Sequence, residues 1–91
     1  AVTQDHDEIR AWAERRSGHA AKVVGVHPDV ITEFEPEIGA LRIGFPGYAS
    51  RETTEPISWD AFFEQFDASG LKFYYQTVND DGTPSNVYEI R

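Results

Sequence analysis

Two stretches of the chain carry apolar side chains at the spacing of an α-helix. In the later and clearer one, four aromatic residues fall at positions i, i+3, i+4 and i+7: Trp59, Phe62, Phe63 and Phe66. Ser58 is a favoured N-cap residue, and Gly70 is a favoured residue just after a helix end. The pattern therefore predicts a helix between these two positions, with its aromatic stripe packed on a sheet at the centre of the core.

The earlier helix is predicted to begin at Asp5. The carboxylate of Asp5 can cap the free amides of the first turn, while Glu8, three residues on, reaches back in a capping box. Ile9 and Trp12 then mark one apolar side of the helix. Gly18 is a natural residue for the end of this helix.

Four segments have the alternation or the β-branched composition of strands. They are residues 21–26, 41–45, 71–77 and 87–90. Residues 79–84 separate the last two segments and contain the Asp-Gly pair typical of a hairpin turn. The order of elements is therefore α-β-β-α-β-β.

This order indicates an α+β fold in which a four-stranded antiparallel sheet carries two helices on one face. A chain of 91 residues fits a single domain, 1–91, and is too short for two ordinary ones. With 40% hydrophobic and 13% aromatic residues it can build one modest core.

A long acidic loop is predicted at residues 27–40, where Glu33, Glu35 and Glu37 follow one another closely. Loops of that length in compact domains are often mobile or functional. The chain has a net charge of −8, of which residues 27–64 contribute −6. Such a field repels nucleic acid and anionic membranes at long range. It either suits a basic partner or, as acidic surfaces of cytosolic proteins commonly do, only keeps the protein soluble.

The absence of cysteine excludes disulfides, thiolate zinc sites and cysteine nucleophiles. No apolar run approaches the roughly 20 residues that span a bilayer, and no signal-peptide pattern opens the chain. We therefore expect a cytoplasmic protein that makes no membrane contact.

No motif in the sequence specifies catalysis, a cofactor or a metal. Gly-x-Ser-x-Gly, phosphate-cradling glycine loops and His-x-x-x-His spacing are all missing. Residues 5–8 (Asp-His-Asp-Glu) gather four candidate metal ligands, but neighbouring residues on a helix point in different directions. We therefore assign no catalytic residue, cofactor or metal ligand.

The most distinctive constellation is predicted on the face of the sheet turned away from the helices. By strand alternation this face carries Lys72, Tyr74 and Gln76, joined by Arg42 from the second strand and Tyr88 from the fourth. Aromatic and basic residues interleaved on a sheet are typical of single-stranded nucleic acid platforms. The alternative is a Tyr74–Tyr88 cross-strand pair that stabilises the sheet, and the net charge favours this alternative.

The Pro-Gly turn at residues 46–47 raises a similar choice for the next residue. Tyr48 could be presented to a ligand, or it could cover the edge of the core. The candidate interaction surface is thus Arg42, Tyr48, Lys72, Tyr74, Gln76, Tyr88, Glu33, Glu35 and Glu37.

Several segments together resemble a family of small bacterial proteins of unknown function. They are 6–21, 41–48 (Leu-Arg-Ile-x-Phe-Pro-Gly-Tyr), 57–66 (Ile-Ser-Trp-Asp-x-Phe-Phe-Glu-x-Phe), 71–76 and 82–86 (Gly-x-x-Ser-Asn). The resemblance covers nearly the whole chain, supports the fold above and brings no catalytic residues. Some members are labelled 1,4-α-glucan branching enzyme, yet such an enzyme is a large barrel protein and nothing in this sequence resembles one. The chain departs from the family in its acidic segment 29–37 and at Gly44, where an acidic residue is more usual.

Three functional hypotheses follow. The preferred one is a non-catalytic protein-binding or regulatory module that contacts another protein through the acidic segment or the open sheet face, as a monomer or a homodimer. The second is a small-ligand, metal-binding or enzymatic domain that uses the acidic residues, which would show convergent carboxylates in a concave site. Single-stranded nucleic acid binding stands third, because the net charge opposes it.

Overall fold

The computed structural model of the chain describes residues 1–26, 37–47 and 52–91. Within these ranges it contains two α-helices and six strands, which confirms the α+β class. In chain order they are β1 (Val2–Thr3), α1 (His6–Glu14), β2 (His19–Val26), β3 (Leu41–Gly44), β4 (Glu52–Pro56), α2 (Trp59–Ala68), β5 (Phe73–Tyr75) and β6 (Tyr88–Ile90).

The predicted single four-stranded sheet is wrong, and so is the predicted order of elements. The described strands form two three-stranded antiparallel sheets, in the orders β1-β5-β6 and β3-β2-β4. The two strands that the sequence pattern missed, β1 and β4, are edge strands. β1 has only two residues, and β4 reads Glu-Thr-Thr-Glu-Pro, with the charges and the proline that suit a sheet edge.

The first helix confirms the predicted cap and corrects the predicted end. The Asp5 carboxylate accepts a hydrogen bond from the Glu8 amide at 3.1 Å. At the other end the left-handed conformation belongs to Ser17, with φ at 57°, and not to Gly18. Gly18 has a different role: a Cβ at this position would lie 2.9 Å from Cγ2 of Ile43, so only glycine lets the chain approach β3 this closely.

The second helix follows its prediction closely. The Ser58 hydroxyl accepts from the Ala61 amide at 3.0 Å, which makes Ser58 the N-cap. After the helix Gly70 adopts a φ of 62°, and the Leu71 amide donates to the Phe66 carbonyl at 3.1 Å. This is the Schellman closure that glycine favours.

The core lies between the two helices and one face of both sheets. Its largest fully buried side chains include Phe62 and Phe66 of α2 and Phe73 of β5. Trp12 of α1 packs edge-on against Phe73, with ring centroids 5.3 Å apart. The predicted aromatic stripe is therefore the centre of the core, although Trp59 is only partly buried.

Arg16 ties the end of α1 to the turn between β5 and β6. Its guanidinium donates to the Trp12 carbonyl at 2.8 Å, to the Thr77 carbonyl at 2.7 Å and to the Ser85 carbonyl. It also lies 4.3 Å from the centre of the Trp12 ring. Desolvation by these neighbours, followed by repulsion from Arg15, lowers the pKa of Arg16.

Most of the predicted acidic loop lies outside the described residues, because these do not include 27–36. Residues 48–51 lie outside them as well. Of the part of the chain that the structure describes, no helix has the length and apolar character needed to cross a membrane.

Candidate functional site: a groove between the two sheets

A groove of about 1010 Å³ lies where β3 of one sheet faces β6 of the other. Its histidine, glutamate and arginine lining residues are His19, Glu37, Arg42, Glu52, Glu89 and Arg91. Its remaining lining includes apolar side chains such as Phe45, Leu71 and Ile90. The lining of the groove therefore combines apolar and charged side chains, which is the composition of a binding site.

The strand registers place one wall of the groove on the helix-free face of the β3-β2-β4 sheet. Ala20 pairs with Ile43, and both are buried in the core under the helices. Because side chains alternate along a strand, the neighbouring pairs His19–Gly44 and Ala21–Arg42 lie on the opposite face. The His19 ring lies directly over Gly44, where a Cβ would overlap it.

The other wall belongs to the helix-free face of the β1-β5-β6 sheet. Phe73 pairs with Ile90 on the core side, so the neighbouring pair Tyr74–Glu89 faces away from the helices. The Arg91 guanidinium lies 4.4 Å from the centre of the Tyr74 ring, and its Nε is 3.7 Å from Oε1 of Glu89. Glu89 and Arg91 thus line this wall, and the Tyr74 ring that Arg91 covers lies beside the groove lining.

The best-defined polar contact of the groove is a two-point ion pair between β3 and β4. Nε and Nη2 of Arg42 donate to the two carboxylate oxygens of Glu52 at 2.9 and 3.0 Å. The pair spans β2, which lies between these strands and carries the fully buried Ala21 and Val23 on that face. The side chains are 27% and 15% exposed, and the hydrogen bond to Glu52 raises the pKa of Arg42.

Tyr88 lies on the core side, which corrects the prediction that it joins Tyr74 on the open face. The register pairs Tyr88 with Tyr75, and the Tyr88 ring packs against Trp12 and Phe45 at 5.9 and 6.0 Å. The predicted Tyr74–Tyr88 cross-strand pair is therefore wrong. The Tyr88 hydroxyl instead reaches β3, where it accepts from the Ile43 amide at 2.9 Å and donates to the Ile43 carbonyl at 3.3 Å.

The structure separates the other candidate residues. Arg42, Glu37 and Tyr88 line the groove. Lys72 is exposed beside Tyr74, and the exposed Gln76 accepts from the Ser85 hydroxyl at 3.1 Å. Tyr48, Glu33 and Glu35 lie outside the described residues.

Sequence reasoning missed Glu52, Glu89 and Arg91 as parts of this groove. Glu52 belongs to the strand that the pattern did not reveal. Glu89 could have been found, because it sits on the same alternating face as the correctly placed Tyr74 once the hairpin register is known. No local sequence motif marks Glu52, Glu89 or Arg91 as a site residue.

Among residues 1–26, 37–47 and 52–91, no group of three or more His, Asp or Glu side chains is placed to hold a metal ion. Comparison with protein-family models, with curated proteins and with solved structures gave no match to this chain. The resemblance to the family of small bacterial proteins therefore stays a prediction.

Proposed function

We propose that this chain is a non-catalytic protein-binding or regulatory module of the cytoplasm, acting as a monomer or a homodimer. In this proposal the groove between β3 and β6 receives a basic segment of another protein. The observation that carries it is the groove itself, whose lining combines apolar side chains with three carboxylates, two arginines and a histidine.

Charge supports the choice of partner. The two groove bases are engaged with acids or an aromatic ring, since Arg42 is paired with Glu52 and Arg91 lies over Tyr74. Glu37 adds a further exposed carboxylate to the lining. Together with a net charge of −8, this arrangement attracts cationic segments and disfavours the phosphates of nucleic acid.

An amide NMR titration tests the proposal. The probes are a lysine-rich peptide, a glutamate-rich peptide, an oligothymidylate, a malto-oligosaccharide and divalent cations. We expect only the lysine-rich peptide to shift the amides of β3 and β6, with an affinity that falls as salt rises. Shifts in the groove caused by the oligosaccharide, the oligonucleotide or a metal ion would overturn the proposal.

Two matched variants test whether the lysine-rich peptide binds in the groove. Glu89→Gln removes a charge inside the groove, whereas Glu64→Gln removes the same charge from the exposed side of α2. We expect the first to weaken binding of the lysine-rich peptide several-fold and the second to have a much smaller effect. Equal effects would mean that the net charge, and not the groove, attracts the peptide.

A further inference from the structure

Three polar residues of the groove lining use none of their side-chain hydrogen-bonding capacity within the fold. His19, Thr54 and Asn86 are exposed and line the groove. In the part of the chain that the structure describes, their side chains make no hydrogen bond and no ion pair. By contrast, the Tyr88 hydroxyl of the same lining is engaged at Ile43.

The position of the His19 ring depends on its cross-strand partner Gly44. A Cβ at residue 44 would meet the Nε2, Cε1 and Cδ2 atoms of the ring, so the ring lies where a side chain of β3 would otherwise stand. Because glycine permits this close approach, the imidazole packs against the backbone of β3. Neither of its nitrogens has a hydrogen-bond partner among the described residues.

Asn86 lies between two anchored residues. The hydroxyl of the fully buried Ser85 donates to Oε1 of Gln76 and accepts from the Val87 amide, both at 3.1 Å, and the Ser85 carbonyl accepts from Arg16. The Gln76 amide donates to the Val87 carbonyl at 3.1 Å. The backbone on both sides of Asn86 is therefore held in place, so a ligand that binds its side-chain amide has little further chain to order.

These side chains supply what the charged lining lacks. A carboxylate only accepts hydrogen bonds and a guanidinium only donates them, whereas a neutral imidazole, a hydroxyl and an amide each offer both a donor and an acceptor. An ammonium group needs acceptors alone, and the carboxylates of the lining suffice for it. The unused donors therefore fit an acceptor on the ligand, and the net charge of −8 disfavours an anionic one. A neutral acceptor that accompanies basic side chains is the peptide carbonyl, with a donor N–H beside it.

From these observations we infer that His19, Thr54 and Asn86 bind the main chain of the partner segment, while the carboxylates of the lining bind its basic side chains. The groove then selects a cationic peptide over a cation that has no peptide groups. The inference rests on the proposed function and names the chemical class of the partner more closely.

The test compares a lysine peptide with spermine, a linear polyamine of equal charge that has no peptide group. Affinities are measured by amide NMR titration of the whole chain, and the dispersion of each spectrum shows that the variant is folded. His19→Phe, Thr54→Val and Asn86→Leu each keep the approximate shape of the side chain and remove its polar atoms. We expect each variant to bind the peptide about fivefold more weakly, the effect of about one hydrogen bond, and to bind spermine as before.

Three further variants serve as controls. Gly44→Ala keeps the imidazole but places a Cβ where the ring lies, so it should weaken the peptide several-fold, as His19→Phe does. His6→Phe makes the same substitution outside the groove lining, where the His6 ring stacks on Phe63 with centroids 4.1 Å apart, and should leave the affinity unchanged. Glu89→Gln should weaken the peptide and spermine alike.

The outcomes separate this inference from the proposed function. Spermine that binds in the groove as tightly as the peptide would overturn the inference and leave a basic partner in place. An unchanged peptide affinity in two of the three polar variants, or an equal loss for the peptide and spermine, would do the same. If no cationic probe shifts the amides of β3 and β6, both the inference and the proposed function are wrong.

Discussion

The ion pair between Arg42 and Glu52 should contribute more to stability than an ordinary surface pair. Exposed pairs contribute ~0.2–1 kcal/mol, whereas hydrogen bonds to charged groups contribute about 1.5–3 kcal/mol when they are sheltered from water. The two contacts of 2.9 and 3.0 Å and the 27% and 15% exposure place this pair between the two classes. We expect a coupling energy of about 1.5 kcal/mol.

A double-mutant cycle measures that coupling. Arg42→Met, Glu52→Gln and the double variant are unfolded in urea and followed by circular dichroism, and the coupling is the departure from additivity. Arg10 and Glu14 provide the internal control, since they form an i,i+4 pair of 2.7 Å whose side chains are 55% and 54% exposed. We expect their coupling to be about 0.3–0.5 kcal/mol.

A coupling at Arg42–Glu52 no larger than that of Arg10–Glu14 would refute the reasoning. It would mean that partial burial adds no more to the attraction than it costs in desolvation. A coupling near ~1.5 kcal/mol would show that the Arg42–Glu52 pair stabilises the association of β3 and β4 across β2, and therefore the wall of the groove that these strands form.

Three further predictions concern packing and titration. Gly18→Ala should cost about 1–3 kcal/mol because a Cβ there meets β3, while Gly25→Ala, which meets nothing within 4 Å, should change urea stability little. Phe62→Ala removes a fully buried ring and should cost about 3–5 kcal/mol, measured by the same unfolding assay or by loss of the folded amide spectrum. The hydrogen bond to Glu8, followed by desolvation, raises the pKa of Tyr75. The contact therefore stabilises the fold at any pH below the ordinary phenol pKa, and this stabilisation is lost as the pH rises through the raised pKa of Tyr75 in the folded protein. An ultraviolet titration should therefore show one tyrosine ionising late, and Glu8→Gln should bring its pKa down; an unchanged curve would contradict the assignment.

The helices could be predicted from the sequence because their signals are local. Asp5 and Ser58 cap their own first turns, and the aromatic stripe of α2 repeats within a few residues. The end of α1 shows the limit of such signals. Ser17 and Gly18 are adjacent, and the close approach of Ile43 and Phe45, which are distant in the sequence, helps to decide that residue 18 is the one that must be glycine.

The sheets could not be predicted in the same way, because edge strands carry little pattern. Residues 52–56 are polar and end in proline, yet they pair with β2 along most of its length. The candidate site could be predicted only in part for the same reason. Alternation places Arg42 on the helix-free face, but its partner Glu52 lies on the strand that the pattern does not reveal. Tyr88 was misplaced because its register against β5 depends on the loop between the two strands.

The division of the strands between two sheets has a consequence for the order in which a growing chain can fold. The β3-β2-β4 sheet uses residues between 19 and 56, and α2 follows at once. In contrast, β1 at residues 2–3 finds its only described strand partner at residues 73–74, so its pairing must wait until those residues have been synthesised. We expect pulsed hydrogen exchange to protect β2 before β1, since nearby contacts close faster than distant ones. During that interval Trp12 of α1 would lack Phe73, and a nascent chain held at this stage would present an apolar helix face to chaperones.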